Sequence, residues 1–250
     1  MLVDVVWTVS KIEDLYRCPR LFRFKHIQRL QPQGEVPDYI EIGRQFHKLA
    51  QEIHVGNQLQ IADLAEPLPE MITVYADWLL HNEPNIVFLS TEQPLSLRLS
   101  PDILAVIKPD AIVHRNGDRW LYELKTSSGW GSQMARHYWN SAQLAAYAYV
   151  ASELLRVTKL LLVVVTKRNV RVVPEEILFH SQLLARGKNI WQQAANYLKM
   201  VRQYDFPQNF TSCHSYFGGE CPYYPLCFLD AKPDEWFRVA DPLDYIFEEV

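Results

Sequence analysis

The chain has 250 residues, 48% hydrophobic and 22% charged, with 25 basic against 29 acidic side chains and a formal net charge of −4. A chain of that length buries a core without disulfide or metal staples, and the composition excludes disordered and collagen-like classes. The acidic balance does not suggest a general nucleic-acid coating protein, and it does not exclude a carboxylate site whose charge bound cations offset.

The apolar start contains Asp4 and lacks a basic leader and a small-residue cleavage site. The longest apolar run, 160–165, is far short of the ~20 residues a spanning helix needs. A cytoplasmic chain with no membrane association is expected. Residues 10–29 read as a helix, opened by an S-x-x-E capping box at Ser10 and Glu13 and kinked or ended early by Pro19. Arg17, Arg20, Arg23, Lys25, His26 and Arg29 crowd this stretch, as a solvated face or a phosphate-guiding one; Lys167, Arg168 and Arg171 form a smaller group.

Residues 31–38 read as a loop. A helix over 41–54 follows, with Phe46, Leu49, Ala50 and Ile53 as its apolar stripe; 55–70 is loop-rich and 71–81 is helical. The period then turns extended. Residues 86–91, 94–99, 103–113 and 119–125 read as successive strands, with Asn116-Gly117 as a turn. A helix over 133–155 precedes the apolar run 160–166, which reads as a strand covered on both faces. Residues 179–203 are helical, and the Pro-, Gly-, Cys- and Tyr-rich tail from 205 carries no regular pattern. This order predicts an α/β fold, a mixed central sheet flanked by helices. Segments 1–40 and 205–250 would form a small helical lobe beside a core over 41–204.

Chemistry concentrates where two strands meet. Pro109-Asp110 closes one strand, and Glu123-Leu124-Lys125 lies on the next. Alternation along a strand puts Glu123 and Lys125 on one face, roughly 7 Å apart, and Leu124 on the other. Two carboxylates brought together repel unless a cation joins them, and Mg²⁺ takes a few oxygen ligands and several waters. Such an ion polarises a phosphodiester and activates a water, and Lys125 could orient that water. The bland alternative is a surface aspartate and an edge-strand ion pair.

Gly43 and His47 share a helix face, so the glycine would leave room above an imidazole that could ligate the same ion or simply be a satisfied core histidine. Gln143 and Tyr147 repeat that spacing on the helix after Lys125, and Arg136 and Asn140 extend the stripe. Gln143 could position the lysine or contact DNA. Tyr147 could bond a phosphate or stack on a base, or the stripe could be an ordinary polar edge. Glu92 is a weaker metal candidate, and Trp130 or Trp139 could stack on bases.

In this order the residues resemble the PD-(D/E)xK nuclease superfamily in its RecB-like branch: Ser10-x7-Cys18, Gly43-x3-His47, Pro109-Asp110, Glu123-x-Lys125 followed by Thr126, and Gln143-x3-Tyr147. The resemblance implies a restriction-endonuclease-like core. His47, Asp110, Glu123 and the Leu124 carbonyl would hold Mg²⁺ or Mn²⁺, with Lys125 beside them. Asp110, Glu123, Lys125, Gln143 and Tyr147 would be the catalytic set of a DNA exonuclease acting on single strands or ends. A subgroup of the family, found in CRISPR spacer acquisition, AddB-type repair and phage exonucleases, holds an iron–sulfur cluster with one early and three late cysteines. Here those positions are Cys18 and Cys213, Cys221 and Cys227, and no cysteine is left over. The spacing Cys213-x7-Cys221-x5-Cys227 departs from the subgroup's shorter first gap, and Gly218-Gly219 in the insertion could let the chain turn around a cluster. The resemblance implies a structural [4Fe–4S] centre; tetrahedral zinc and free thiols are the alternatives. Implied partners are DNA and the nuclease, integrase or repair proteins of those pathways. A second reading keeps the fold as a DNA-binding or assembly module that cleaves poorly.

Overall fold

The computed structural model describes residues 5–33, 38–61, 63–128, 131–213, 220–229 and 231–240. After β1 (Val5–Trp7), the first helix is capped by Thr8, whose hydroxyl accepts from the Lys11 N–H at 3.3 Å. Ser10, the expected cap, lies inside α1 (Val9–Arg17), and its hydroxyl bonds that of Thr8 at 2.9 Å. The chain breaks at Cys18, which is extended, because Pro19 cannot continue a helix but opens one well. Pro19 starts α2 (Pro19–Phe22), and a π-helical turn Arg23–Ile27 follows.

Next come β2 (Leu30–Pro32), α3 (Asp38–His54), α4 (Leu68–Asn82), β3 (Val87–Thr91), β4 (Leu95–Ser100), β5 (Ile103–Ile107), β6 (Ala111–Arg115) and β7 (Asp118–Ser127). Then α5 (Gly131–Trp139), α6 (Ala142–Leu155), β8 (Lys159–Thr166), β9 (Val172–Leu178) and α7 (Ser181–Gln203) lead to a 3-10 turn at Phe210–Ser212. The described chain ends with α8 (Tyr224–Phe228), α9 (Pro233–Trp236) and β10 (Phe237–Val239). Asn116 and Gly117 turn β6 into β7 with φ of 52° and 86°, the paired positive values of a tight hairpin.

Two compact units emerge. One holds Val36–Leu95 and Ile107–Lys188, and its five strands run in the order β3-β6-β7-β8-β9. The β7–β8 pairing is parallel and the other three are antiparallel, so the sheet is mixed, as expected. On one face Phe46 and Ala50 of α3 and Met71, Ile72 and Tyr75 of α4 pack against Tyr122, Leu124, Leu161 and Val163. β8 is buried from Leu160 to Thr166, which explains its unbroken apolar run.

The other unit holds Met1–Glu35, Ser96–Val106 and Asn189–Val250. Residues 96–106 and 189–204 thus group with the two chain ends. Here β5 pairs with β1 and β4, while β2 pairs with β10.

Five elements differ from expectation. The stretch 103–113 is two strands in two sheets, because Pro109 removes a ladder donor between them. The helix over 133–155 is two helices, because Ser141 caps a new one by accepting from the Leu144 N–H at 3.0 Å. β9, β2 and β10 are strands too short or too polar for a period-2 signal. Gly218-Gly219 and Trp130 lie outside the described residues.

Candidate active site

The β6–β7 hairpin sets the geometry. Its register pairs Ala111 with Tyr122, so Asp110, immediately before β6, lies beside the part of β7 that continues. The Leu124 N–H, left without a β6 partner, donates to Asp110 Oδ2 at 2.6 Å. In a strand one residue's N–H and C=O point to the same side, so the Leu124 carbonyl also faces that edge. Asp110 Oδ1 meets His47 Nδ1 at 3.1 Å. Glu123 and Lys125 share a face, and Lys125 Nζ donates to Glu123 Oε1 at 2.6 Å. Gln143 Nε2 donates to the same oxygen at 2.7 Å. Glu123 is 2% exposed, and its Oε2 is buried with no hydrogen-bond partner among the described residues.

Glu92 belongs to this cluster more firmly than its sequence position suggests. It follows β3 with a left-handed φ of 51°, held by its N–H donating to the Asp110 carbonyl at 3.0 Å. A non-glycine residue in that region needs surroundings that hold it there. Ligand atoms of His47, Glu92 and Asp110 lie within 4.8 Å of one another. Glu92 Oε2 also pairs with Lys108 Nζ at 3.0 Å. The sequence offered Glu92 as a weaker metal candidate and marked Lys108 not at all; the β3–β6 pairing brings both there.

The supporting positions serve differently from expectation. Tyr147 is 8% exposed, and its hydroxyl donates to the Lys108 carbonyl at 3.0 Å. The ring is enclosed, and its hydroxyl is engaged by the backbone two residues before Asp110. Arg136 and Asn140 sit before the break between α5 and α6, out of helical register with Gln143 and Tyr147, and Asn140 bonds the Arg136 carbonyl at 3.4 Å. Gly43 makes room for Thr126 and Lys167 rather than for the imidazole: a Cβ there would stand 3.3 Å from Thr126 Oγ1 and 3.8 Å from Lys167 Nζ.

The electrostatics fit a cation site. Burial lifts the Glu123 carboxyl to about 7, with Asp110 adding to the rise and Lys125 opposing it. Burial would also raise Asp110, but hydrogen bonding to His47, the charges of His47 and Lys125, and the Leu124 N–H outweigh it, so it titrates below the usual carboxylate range. For His47 burial pulls downward, and the bond to Asp110 and its charge hold the imidazole above its ordinary value.

In the unit with the chain ends, Cys18, Cys213 and Cys221 are buried and Cys227 is half-buried, all as free thiols. Burial raises the thiols of Cys213, Cys221 and Cys227, and the charge of Cys18 adds to each rise. Cys18 and Cys221 pack with Leu21, Leu30, Tyr223 and Phe237. The basic run on this unit is largely engaged within it: Arg20 Nε donates to the Phe206 carbonyl at 2.8 Å, Arg23 pairs with Asp205 at 2.6 Å, and Lys25 and His26 both meet Asp14 at 2.8 Å. No helix among the described residues is long and apolar enough to cross a membrane.

One solved structure shares this fold, and two others are more distantly similar. A candidate exonuclease from Eubacterium rectale is 12% identical with a TM-score of 0.57, over 91% of this chain and 88% of that one. An alkaline exonuclease from Laribacter hongkongensis is 12% identical with a TM-score of 0.41, over 80% and 90%. A phage-related exonuclease from Haemophilus somnus is 8% identical with a TM-score of 0.42, over 82% and 98%. No curated protein matches the chain. A sequence profile of the PD-(D/E)XK nuclease superfamily matches residues 6–228, a span that takes in His47, Asp110, Glu123 and Lys125. With the mixed sheet and the Asp–Glu–Lys arrangement on its hairpin, that match is decisive: the chain belongs to the PD-(D/E)XK nuclease superfamily.

Proposed function

We propose that this protein is a Mg²⁺- or Mn²⁺-dependent DNA nuclease, working as an exonuclease on single strands or DNA ends. The observation that carries the reading is the convergence of His47, Glu92 and Asp110 within 4.8 Å, next to a buried Glu123 oxygen without a donor. An anionic oxygen stripped of water and hydrogen bonds is costly unless a cation reaches it. The donors are carboxylates and one imidazole, the set that hard divalent ions accept. His47, Asp110, Glu123 and the Leu124 carbonyl would hold the ion, with Glu92 as a further ligand. A bound ion supplies charge for the phosphodiester and a more acidic water.

The remaining roles fall to the protein's own groups. Lys125 sits on the Glu123 oxygen that Gln143 also grips, so its ammonium has a fixed place on the metal face of β7. From there it orients the attacking water and balances the charge that grows on the phosphate. Tyr147 acts as a positioning residue by anchoring the Lys108 carbonyl. The reading is tested by a time course on end-labelled single- and double-stranded DNA with and without Mg²⁺ or Mn²⁺. Wild type should shorten DNA from its ends only with metal, and Lys125→Ala should lower the rate about 10²-fold or more. A Lys125→Ala protein that digests as fast as wild type overturns the assignment. Binding with no cleavage of any substrate would favour a DNA-binding module.

For the cysteines we propose a structural [4Fe–4S] centre of the RecB-like kind, held by Cys18, Cys213, Cys221 and Cys227. Its support is the burial of three thiols and the electrostatic effect of Cys18 on the other three. Anaerobically purified protein should contain iron and acid-labile sulfide in equal amounts; zinc with neither would refute the cluster.

A further inference from the structure

The cations that the sequence crowds into residues 17–29 are mostly engaged inside their own unit. Cations open to a phosphate chain stand instead on α3. Beside His47 lies a groove of about 590 Å³, lined by Arg44, Lys48, Glu92 and Lys108 among others. That volume suits one or two nucleotide units rather than a duplex. Lys108 is held by Glu92 at 3.0 Å. Arg44 and Lys48 are exposed, and neither has a hydrogen bond or ion pair among the described residues. They stand four residues apart on one face of α3, about 6 Å along its axis, with His47 between them in sequence. The spacing is of the order of one backbone step in a stretched strand, and the charge is complementary to it.

We infer that Arg44 and Lys48 bind two successive backbone phosphates of a single polynucleotide strand and lead it to the His47–Asp110 cluster. The inference rests on the nuclease reading for its destination but not for its electrostatics. Each phosphate neutralised on a single strand steepens the fall of log K with log salt by about 0.7. Arg44→Ala/Lys48→Ala should therefore flatten the slope by about 1.4, so a fourfold rise in salt weakens wild type about 7-fold more than the variant.

The probe is a short fluorescein-labelled oligothymidylate, followed by anisotropy over a salt series in chelator, so that cleavage does not enter. Both positions are exposed on a helix, where alanine is a strong helix former, and circular dichroism checks the fold. Arg44→Lys/Lys48→Arg keeps both charges and should keep the wild-type slope. A double-alanine protein with the wild-type slope overturns the inference, as does an Arg44→Lys/Lys48→Arg protein whose slope flattens like the alanine one. Steep wild-type binding with no cleavage under either metal would remove the nuclease reading and leave the groove. Metal-dependent cleavage with an unflattened double-alanine slope would remove the groove alone.

Discussion

Gly187 of α7 offers a sharp test of how the sheet unit is packed. A Cβ there would overlap the Ala145 carbonyl oxygen of α6 and stand 2.7 Å from the Tyr149 Cβ. The nearest obstacle is backbone, so no rotamer change relieves it. Gly187→Ala gains up to about 1 kcal/mol of helix propensity. Against this, separating two helices in a packed interior costs typically ~1–3 kcal/mol and occasionally more. The clash is among the tightest kind, so a net loss of about 2 kcal/mol is expected, or ~4–8 °C in Tm for a chain of this size. Because α6 carries Gln143 and Tyr147, the nuclease rate should fall as well, through displaced positioning rather than lost chemistry. Thermal melts with parallel rate measurements read both effects. A Gly187→Ala protein that melts at or above the wild-type temperature would refute the reasoning, because it would mean the two helices are not in contact there.

Glu92→Gln removes a carboxylate from the proposed ion site, so half-saturation by Mn²⁺ should rise about 10-fold or more, read from the Mn²⁺-induced rise in Tm; unchanged half-saturation would exclude Glu92 as a ligand. Tyr147→Phe leaves the part-buried Lys108 carbonyl without its donor, at a cost of about 1 kcal/mol in stability by denaturant titration; no loss would mean that a water or another donor satisfies the carbonyl. His54 is half-buried against Tyr75, Phe88 and Tyr122, and the desolvation lowers its pKa from 6.5 to about 4. Its ring nitrogen meets the Tyr75 hydroxyl at 2.5 Å, as the acceptor a neutral imidazole provides. The unfolded chain binds the proton first, so the stability from this group is complete above pH 6.5 and drains as pH falls toward 4, by at most about 3 kcal/mol. Denaturant melts across that window should show the loss, and His54→Gln should flatten it; identical profiles would rule out the histidine as the cause.

The extent to which the chain announced itself follows from the range of each interaction. Alternation placed Glu123 and Lys125 on one face, the unbroken run 160–166 marked a doubly covered strand, and Asn116-Gly117 marked the hairpin, since each depends on neighbours a few residues away. The hairpin register then follows almost automatically, which is why Asp110 beside Glu123 was legible. Lys108 and the engagement of Arg20, Arg23 and Lys25 were not legible, and Glu92 was legible only as a weaker metal candidate. Glu92 reaches Asp110 only because β3 pairs with β6, and Arg23 loses its freedom only because Asp205, far along the chain, folds against it. Periodicity and capping are local and can be read in order; which charge is neutralised, and which is left facing a groove, depends on contacts distant in sequence that only folding brings together.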